Sequence, residues 1–76
     1  MKEFVEYLAK QLVDNQEAVK VNEVSGERVN IYELQVGQGD LGKVIGKGGQ
    51  NARAMRLLLT AASKKTGKNS MLEILE

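Results

Sequence analysis

The residues best equipped for chemistry lie on one glycine-rich string, Gly37-Gln38-Gly39-Asp40-Leu41-Gly42-Lys43-Val44-Ile45-Gly46-Lys47-Gly48-Gly49, and among the basic residues after it. Three kinds of phosphate chemistry can be written on this string. Gly37, Gly39 and Gly42 spell G-x-G-x-x-G after a strand-like run, which is the dinucleotide-binding fingerprint. That fingerprint also needs a strand-helix-strand unit and an acidic residue about 20 positions on, to hold a ribose hydroxyl. No Asp or Glu lies between Leu41 and Leu72, so this reading is weak. Gly37 to Val44 nearly spells a P-loop, G-x-x-x-x-G-K-[ST], but Val44 stands where a hydroxyl must meet Mg²⁺. The acid-free stretch offers no second metal ligand either, so nucleotide hydrolysis is disfavoured.

The third reading uses Gly46-Lys47-Gly48-Gly49 as a short loop between two helices. Glycines at its ends let the backbone turn tightly and approach a ligand closely. The loop leads into a helix N-terminus, whose unpaired N–H groups and positive dipole end favour phosphate. Lys47 adds a mobile cation, Lys43, Arg53 and Arg56 flank it, and Val44, Ile45 and Gln50 lie beside it. This is a cradle for a sugar-phosphate backbone; the plain alternative is a helix–helix turn with glycine as a cap. Other chemistries have little to work with. The chain has no Cys and no His, which removes disulfides, the usual transition-metal ligands, the thiol nucleophile and the ordinary neutral-pH general base. No paired-acid motif is present, so an enzyme is disfavoured, and no cofactor or metal is expected.

The elements that must position this loop follow from periodicity. From Lys2 to about Asp14, Phe4, Val5, Leu8, Ala9 and Leu12 recur at helical spacing, with Glu3, Glu6, Lys10 and Gln11 opposite. Val19/Val21 and Val29/Ile31 alternate with polar residues as in half-buried strands, and Gly26 between them marks a hairpin. Both runs change parity, at Val24 and at Leu34/Val36, which fits either a bulge or a strand buried on both faces. Asp40 is a good N-cap for a short helix from Leu41 to about Ile45. A longer helix from about Gln50 to Lys65 carries Ala52, Met55, Leu58, Leu59 and Ala62 on one stripe, and Gly67 suits its C-terminal cap. Ser70 to Leu75 closes as a strand with Leu72 and Ile74 inward. The order is α-β-β-α-α-β, and a right-handed crossover lays the last strand parallel to the second. The expected fold is α+β: a three-stranded mixed sheet with helices packed on one face, in a single domain, 1–76.

A chain of 76 residues buries only about 60% of its unfolded surface, so a partner subunit is the staple to consider first. No signal peptide is visible at the acidic, amphipathic N-terminus, and no apolar run approaches the roughly 20 residues that span a bilayer. A soluble, cytoplasmic protein without membrane insertion is expected. Net charge is +1, but it is unevenly spread. Residues 41–72 hold seven basic side chains and no acidic one, while the rest holds four basic and ten acidic. Such segregation suits a polyanion-binding face, although a merely solvated helix face would also account for it.

Val44-Ile45-Gly46-Lys47-Gly48-Gly49-Gln50-Asn51-Ala52-Arg53 resembles the (V/I)-I-G-x-x-G-x-x-I signature of the KH domain, a module that clamps four nucleotides on a GXXG loop. The element order is similar to that of type II KH domains. Across the whole chain, including Asp40 to Ala54 and the ending Leu72-Glu73-Ile74-Leu75-Glu76, the sequence resembles the stand-alone bacterial KH proteins of the KhpA/YlqC family. Two departures stand out: Ala52 replaces the signature's last Ile, and Gly48 makes the loop more flexible. The resemblance implies single-stranded RNA binding at Lys43, Val44, Ile45, Gly46, Lys47, Gly48, Gly49, Gln50, Arg53 and Arg56. About four bases would enter a groove formed by the two helices and the last strand, and the strand's backbone would read base edges. It further implies a homodimer, a heterodimer with a larger multi-domain KH protein of the Jag/EloR type, or both. The implied role is post-transcriptional regulation or RNA chaperoning linked to cell elongation. Leu57, Ala54 and Ala61 are candidate contact residues, plain core being the other reading of the same helix face. The competing reading is a protein-interaction module whose loop mediates subunit contacts.

Overall fold

The computed structural model describes residues 1–76. Helix α1 (Lys2–Leu12) buries Val5 and Ala9, with Phe4, Leu8 and Leu12 packed beside them. Val13 then turns to an extended conformation and ends the helix while remaining buried. Strands β1 (Lys20–Ser25) and β2 (Val29–Gln35) pair antiparallel without a break, from Lys20↔Gln35 to Ser25↔Asn30. Gly26 closes the hairpin: its N–H donates to the Val29 carbonyl at 2.9 Å, and a Cβ there would lie 2.8 Å from that oxygen.

Helix α2 (Leu41–Ile45) and helix α3 (Gln50–Ser63) follow, and β3 (Asn69–Ile74) returns parallel to β2, from Val29↔Asn69 to Leu34↔Ile74. The sheet order is β1-β2-β3. All three helices lie on one face: α1 over β1 and β2, α3 over β3, and α2 against α3. This is the α-β-β-α-α-β mixed-sheet architecture expected from the sequence. Tyr32, Leu34, Leu59, Val5 and Val44 are its largest fully buried side chains. No helix is long and apolar enough to cross a membrane.

Three details differ from the periodicity. The parity changes mark neither a bulge nor a doubly buried strand. The inner face of β2 belongs to Tyr32 and Leu34, while Val29, Ile31 and, across the sheet, Val24 and Met71 occupy the outer face. A buried Tyr contributes more apolar area than Ile, and its hydroxyl is accommodated by donating to Glu23 Oε2 at 3.4 Å. On α3, Leu58 is 48% exposed, and Ser63 takes a buried position instead. Ser63 is accommodated because its hydroxyl donates to the Thr60 carbonyl at 2.9 Å. Asp40 occupies the N-cap position of α2 but makes no side-chain cap bond there.

Candidate nucleic-acid interface

The GKGG loop is a single tight turn held from both sides. Gly46 ends α2 with φ 77° and ψ 172°, a combination reserved for glycine. Its N–H donates to the Gly42 carbonyl at 2.8 Å, and Gly49 closes the turn by donating to the Gly46 carbonyl at 3.1 Å. Gly48 and Gly49 also have positive φ. A Cβ on Gly46 would sit 2.7 Å from Cγ of Asn51, so the side chain of Asn51 fills the space that the missing carbon leaves. From there its Nδ2 donates to the Lys43 carbonyl at 2.8 Å, satisfying an orphan acceptor at the end of α2. Motif spacing does not single out Asn51; the signal that could have found it is a polar, helix-disfavouring residue in the first turn of a helix.

Arg53 restrains the loop from the other side. Its Nη1 donates to the Gly48 carbonyl at 2.8 Å, which limits the flexibility expected of a glycine there. A Cβ on Gly48 would meet nothing within 4 Å, and Lys47 and Gly48 are both exposed. Gln50, itself exposed, opens α3, and no side chain caps the amides there. The loop therefore presents backbone N–H groups, a helix N-terminus and one free ammonium on the same surface.

A groove continues from the loop between α3 and β3. Asn69 and Leu75 donate their N–H groups to β2, at the Arg28 and Leu34 carbonyls. In a parallel ladder alternate residues face the same neighbour, so the backbone groups of Ser70, Leu72 and Ile74 face the open edge. Arg56 bridges the groove, its Nε donating to the Leu72 carbonyl at 3.4 Å. Thr60, Ser70 and Met71 line it with Arg56 and Leu72. The aromatic residues are elsewhere: Tyr32 is in the core, and Phe4 and Tyr7 are on α1.

Two residues expected at the interface are engaged differently. Val44 is fully buried and anchors α2 to the core, so its side chain offers no ligand surface; Ile45 is half-buried beside it. Lys43 turns away from the loop, pairing with Asp14 and with Asp40 Oδ1 at 3.6 Å. The bond to Asp14 raises the pKa of its ammonium group. Asp40 is 5% exposed and accepts the Asn15 N–H at 3.0 Å. That backbone bond, more than the Lys43 charge, holds its carboxyl below the usual range. Lys47, Arg53, Arg56, Lys64, Lys65 and Lys68, by contrast, have no carboxylate within 4 Å. Ala52, the departure from the signature, is buried at the start of α3.

Residues 2–74 match the family model described as KhpA/KhpB, KH domain. The chain is 53% identical over 76 residues to "RNA-binding protein KhpA" of Aquifex aeolicus, covering all of this chain and 96% of that one. It is 52% identical to the protein of that name from Clostridium perfringens, over 99% of this chain and all of the other. For the Borreliella burgdorferi protein of that name the figures are 47% identity, 97% and 90%. The fold of this chain is similar to part of a crystal structure of a variant of Aquifex aeolicus Era bound to GDP and aluminium fluoride. The TM-score is 0.71 at 19% identity, over 96% of this chain and 28% of that chain.

Proposed function

The chain belongs to the KhpA/KhpB KH-domain family, and on that premise we propose that it binds single-stranded RNA through Gly46-Lys47-Gly48-Gly49. One observation carries this reading: a glycine turn, held by Asn51 and Arg53, that opens its amides and Lys47 toward an unobstructed surface at a helix N-terminus. RNA backbone lies across the turn, with Gln50, Arg53 and Arg56 alongside. About four bases enter the α3/β3 groove, where the free edge of β3 offers donors and acceptors to base edges. Ile45 contributes apolar contact. Val44 and Lys43 act indirectly, by holding α2 in place. No aromatic platform lines the groove, so hydrogen bonding rather than ring stacking supplies base preference. The curated relatives are named for RNA binding, and the role that fits is a small cytoplasmic post-transcriptional regulator or RNA chaperone, linked to cell elongation.

The test is fluorescence-anisotropy titration of short single-stranded RNAs, with matched DNA as a second arm. Wild type binds RNA. Lys47→Asp/Gly48→Asp, which places two carboxylates where phosphate lies, abolishes binding while circular dichroism remains native. Equal binding by a folded double variant sinks this reading.

A second surface favours self-association. On the outer side of α3, Leu57 is 74% and Leu58 48% exposed, beside the exposed Ala54 and Ala61. A second copy covers this face, bringing two RNA sites together and raising avidity without new RNA contacts. Leu57→Ser gives a monomer by sedimentation velocity, with the fold intact. If this variant stays dimeric and the loop variant dissociates, the loop mediates subunit contacts instead. A larger KH protein of the Jag/EloR type is the heterologous candidate for the same face.

A further inference from the structure

Beyond the groove described above, a third, wholly polar cleft continues along the same side of α3. Thr60 lines it together with Ser63, Lys64, Gly67, Lys68 and Asn69. Thr60 also lines the two clefts nearer the loop, one with Arg53, Ala54, Arg56 and Leu57, the other with Arg56 and β3. The three clefts share Thr60 and follow α3 as one track from Arg53, which bonds the loop at the Gly48 carbonyl, to the C-terminal end of the helix. Its chemistry changes along the way. Near the loop the walls include Ala54, Leu57, Met71 and Leu72, whereas at the far end no apolar residue remains and two lysines enter.

The track is long enough for the change to matter. Fourteen residues of α3 span about 21 Å at 1.5 Å per residue, the full run of the groove. Neither Lys64 nor Lys68 has a carboxylate within 4 Å. Thr66, in the turn between them, directs its hydroxyl inward to the Ser63 carbonyl at 2.7 Å and accepts the Lys68 N–H at 3.3 Å. The turn is thereby fixed, and both ammonium groups stay unneutralised.

Resting on the proposed RNA reading, we propose that the RNA footprint exceeds the four-base groove. Lys64 and Lys68 form a distal phosphate subsite, engaged by nucleotides beyond the fourth. The stretch of the track beside β3, at Arg56, Ser70 and Leu72, receives bases and leaves Ala54 and Leu57 to the second copy, while the two cationic ends, Lys47 and the Lys64/Lys68 pair, hold the backbone. The ligand is thus an unstructured RNA stretch of about six to eight nucleotides.

The test extends one tetranucleotide bound by wild type to six, eight and ten nucleotides, at either its 5′ or its 3′ end, and measures anisotropy in 50 to 200 mM salt. Extension at one end raises affinity up to about eight nucleotides. Lys64→Ala/Lys68→Ala leaves tetramer affinity unchanged and removes the gain from length. It also makes the salt slope for the octamer shallower by about 1.4, a roughly sevenfold difference over the fourfold salt range. Lys64→Arg/Lys68→Arg restores both, which separates charge from a packing defect. A flat length series, or an equal loss on tetramer and octamer, overturns the distal subsite. The Lys47→Asp/Gly48→Asp variant separates this failure from failure of the loop. If it loses the tetramer while the length series is flat, the loop stands and only the extension falls. If it binds every length as wild type does, the track does not begin at the loop, and both fall.

Discussion

Gly46 and Asn51 form a matched pair: a carbon missing from one leaves room for the side chain of the other, which then satisfies the end of α2. Adding that carbon should therefore harm the fold as well as the site. Gly46→Ala combines a backbone conformation that costs an alanine on the order of 1–3 kcal/mol with an overlap onto Asn51. Gly48 has φ 63° but open space around it, so Gly48→Ala carries only the left-handed penalty of about 1–2 kcal/mol. Urea unfolding should rank Gly46→Ala as the less stable variant, with Gly48→Ala between it and wild type. The reverse order would mean that Asn51 is not what Gly46 accommodates. Lys43 and Lys47 offer a similar contrast. Four positions apart and alike in sequence, one is held between two carboxylates and the other has none.

The Lys43 cluster belongs to the scale of elements, because it ties two of them, α1 and α2, together. Asp40 precedes α2, Asn15 follows α1, and Lys43 reaches from α2 to Asp14. The Asp40 carboxyl is held below its usual range in the folded state, chiefly by the Asn15 N–H. A folded pKa below the unfolded one gives stability that is complete above the ordinary carboxylate range and lost as pH falls through it. Asp40→Asn should accordingly lower the urea midpoint at pH 7, and should lose less on acidification to pH 3 than wild type does. Parallel acid profiles in the two proteins would remove Asp40 from this role. Much at this scale is legible in the sequence: the order of six elements, the parallel return of β3 and the loop between two helices all follow from spacing and glycine placement. The phase of β2 is not, since Val29 and Ile31 alternate as regularly as Tyr32 and Leu34, and only the bulk of Tyr32 under the helices decides between them. Leu58 departs from its expected burial for a related reason: the helical stripe is wider than the surface that α1 and the sheet cover. Asp14 and Lys43, 29 positions apart, pair only once α1 and α2 meet, and no local pattern announces that.

On the scale of the molecule, the uneven charge becomes a quantity that binding can report. Residues 41–72 hold seven cations, but Lys43 is already neutralised by Asp14 and Asp40. Six remain without a carboxylate partner: Lys47, Arg53, Arg56, Lys64, Lys65 and Lys68. Each phosphate neutralised on a single strand contributes about −0.7 to the slope of log affinity against log salt. For a long single-stranded RNA the slope per bound chain should therefore be no steeper than about −4. The ten acidic side chains, all outside the basic segment, repel further backbone, so lengthening the RNA beyond the track should not steepen it. Lys43→Ala should leave the slope unchanged while lowering the urea midpoint; Lys47→Ala should make it shallower by about 0.7 with stability kept. A slope steeper than the six free cations allow, or one that responds to Lys43, would show that the cluster opens when RNA binds. The partition between cations that hold the fold and cations that hold the ligand would then have to be redrawn.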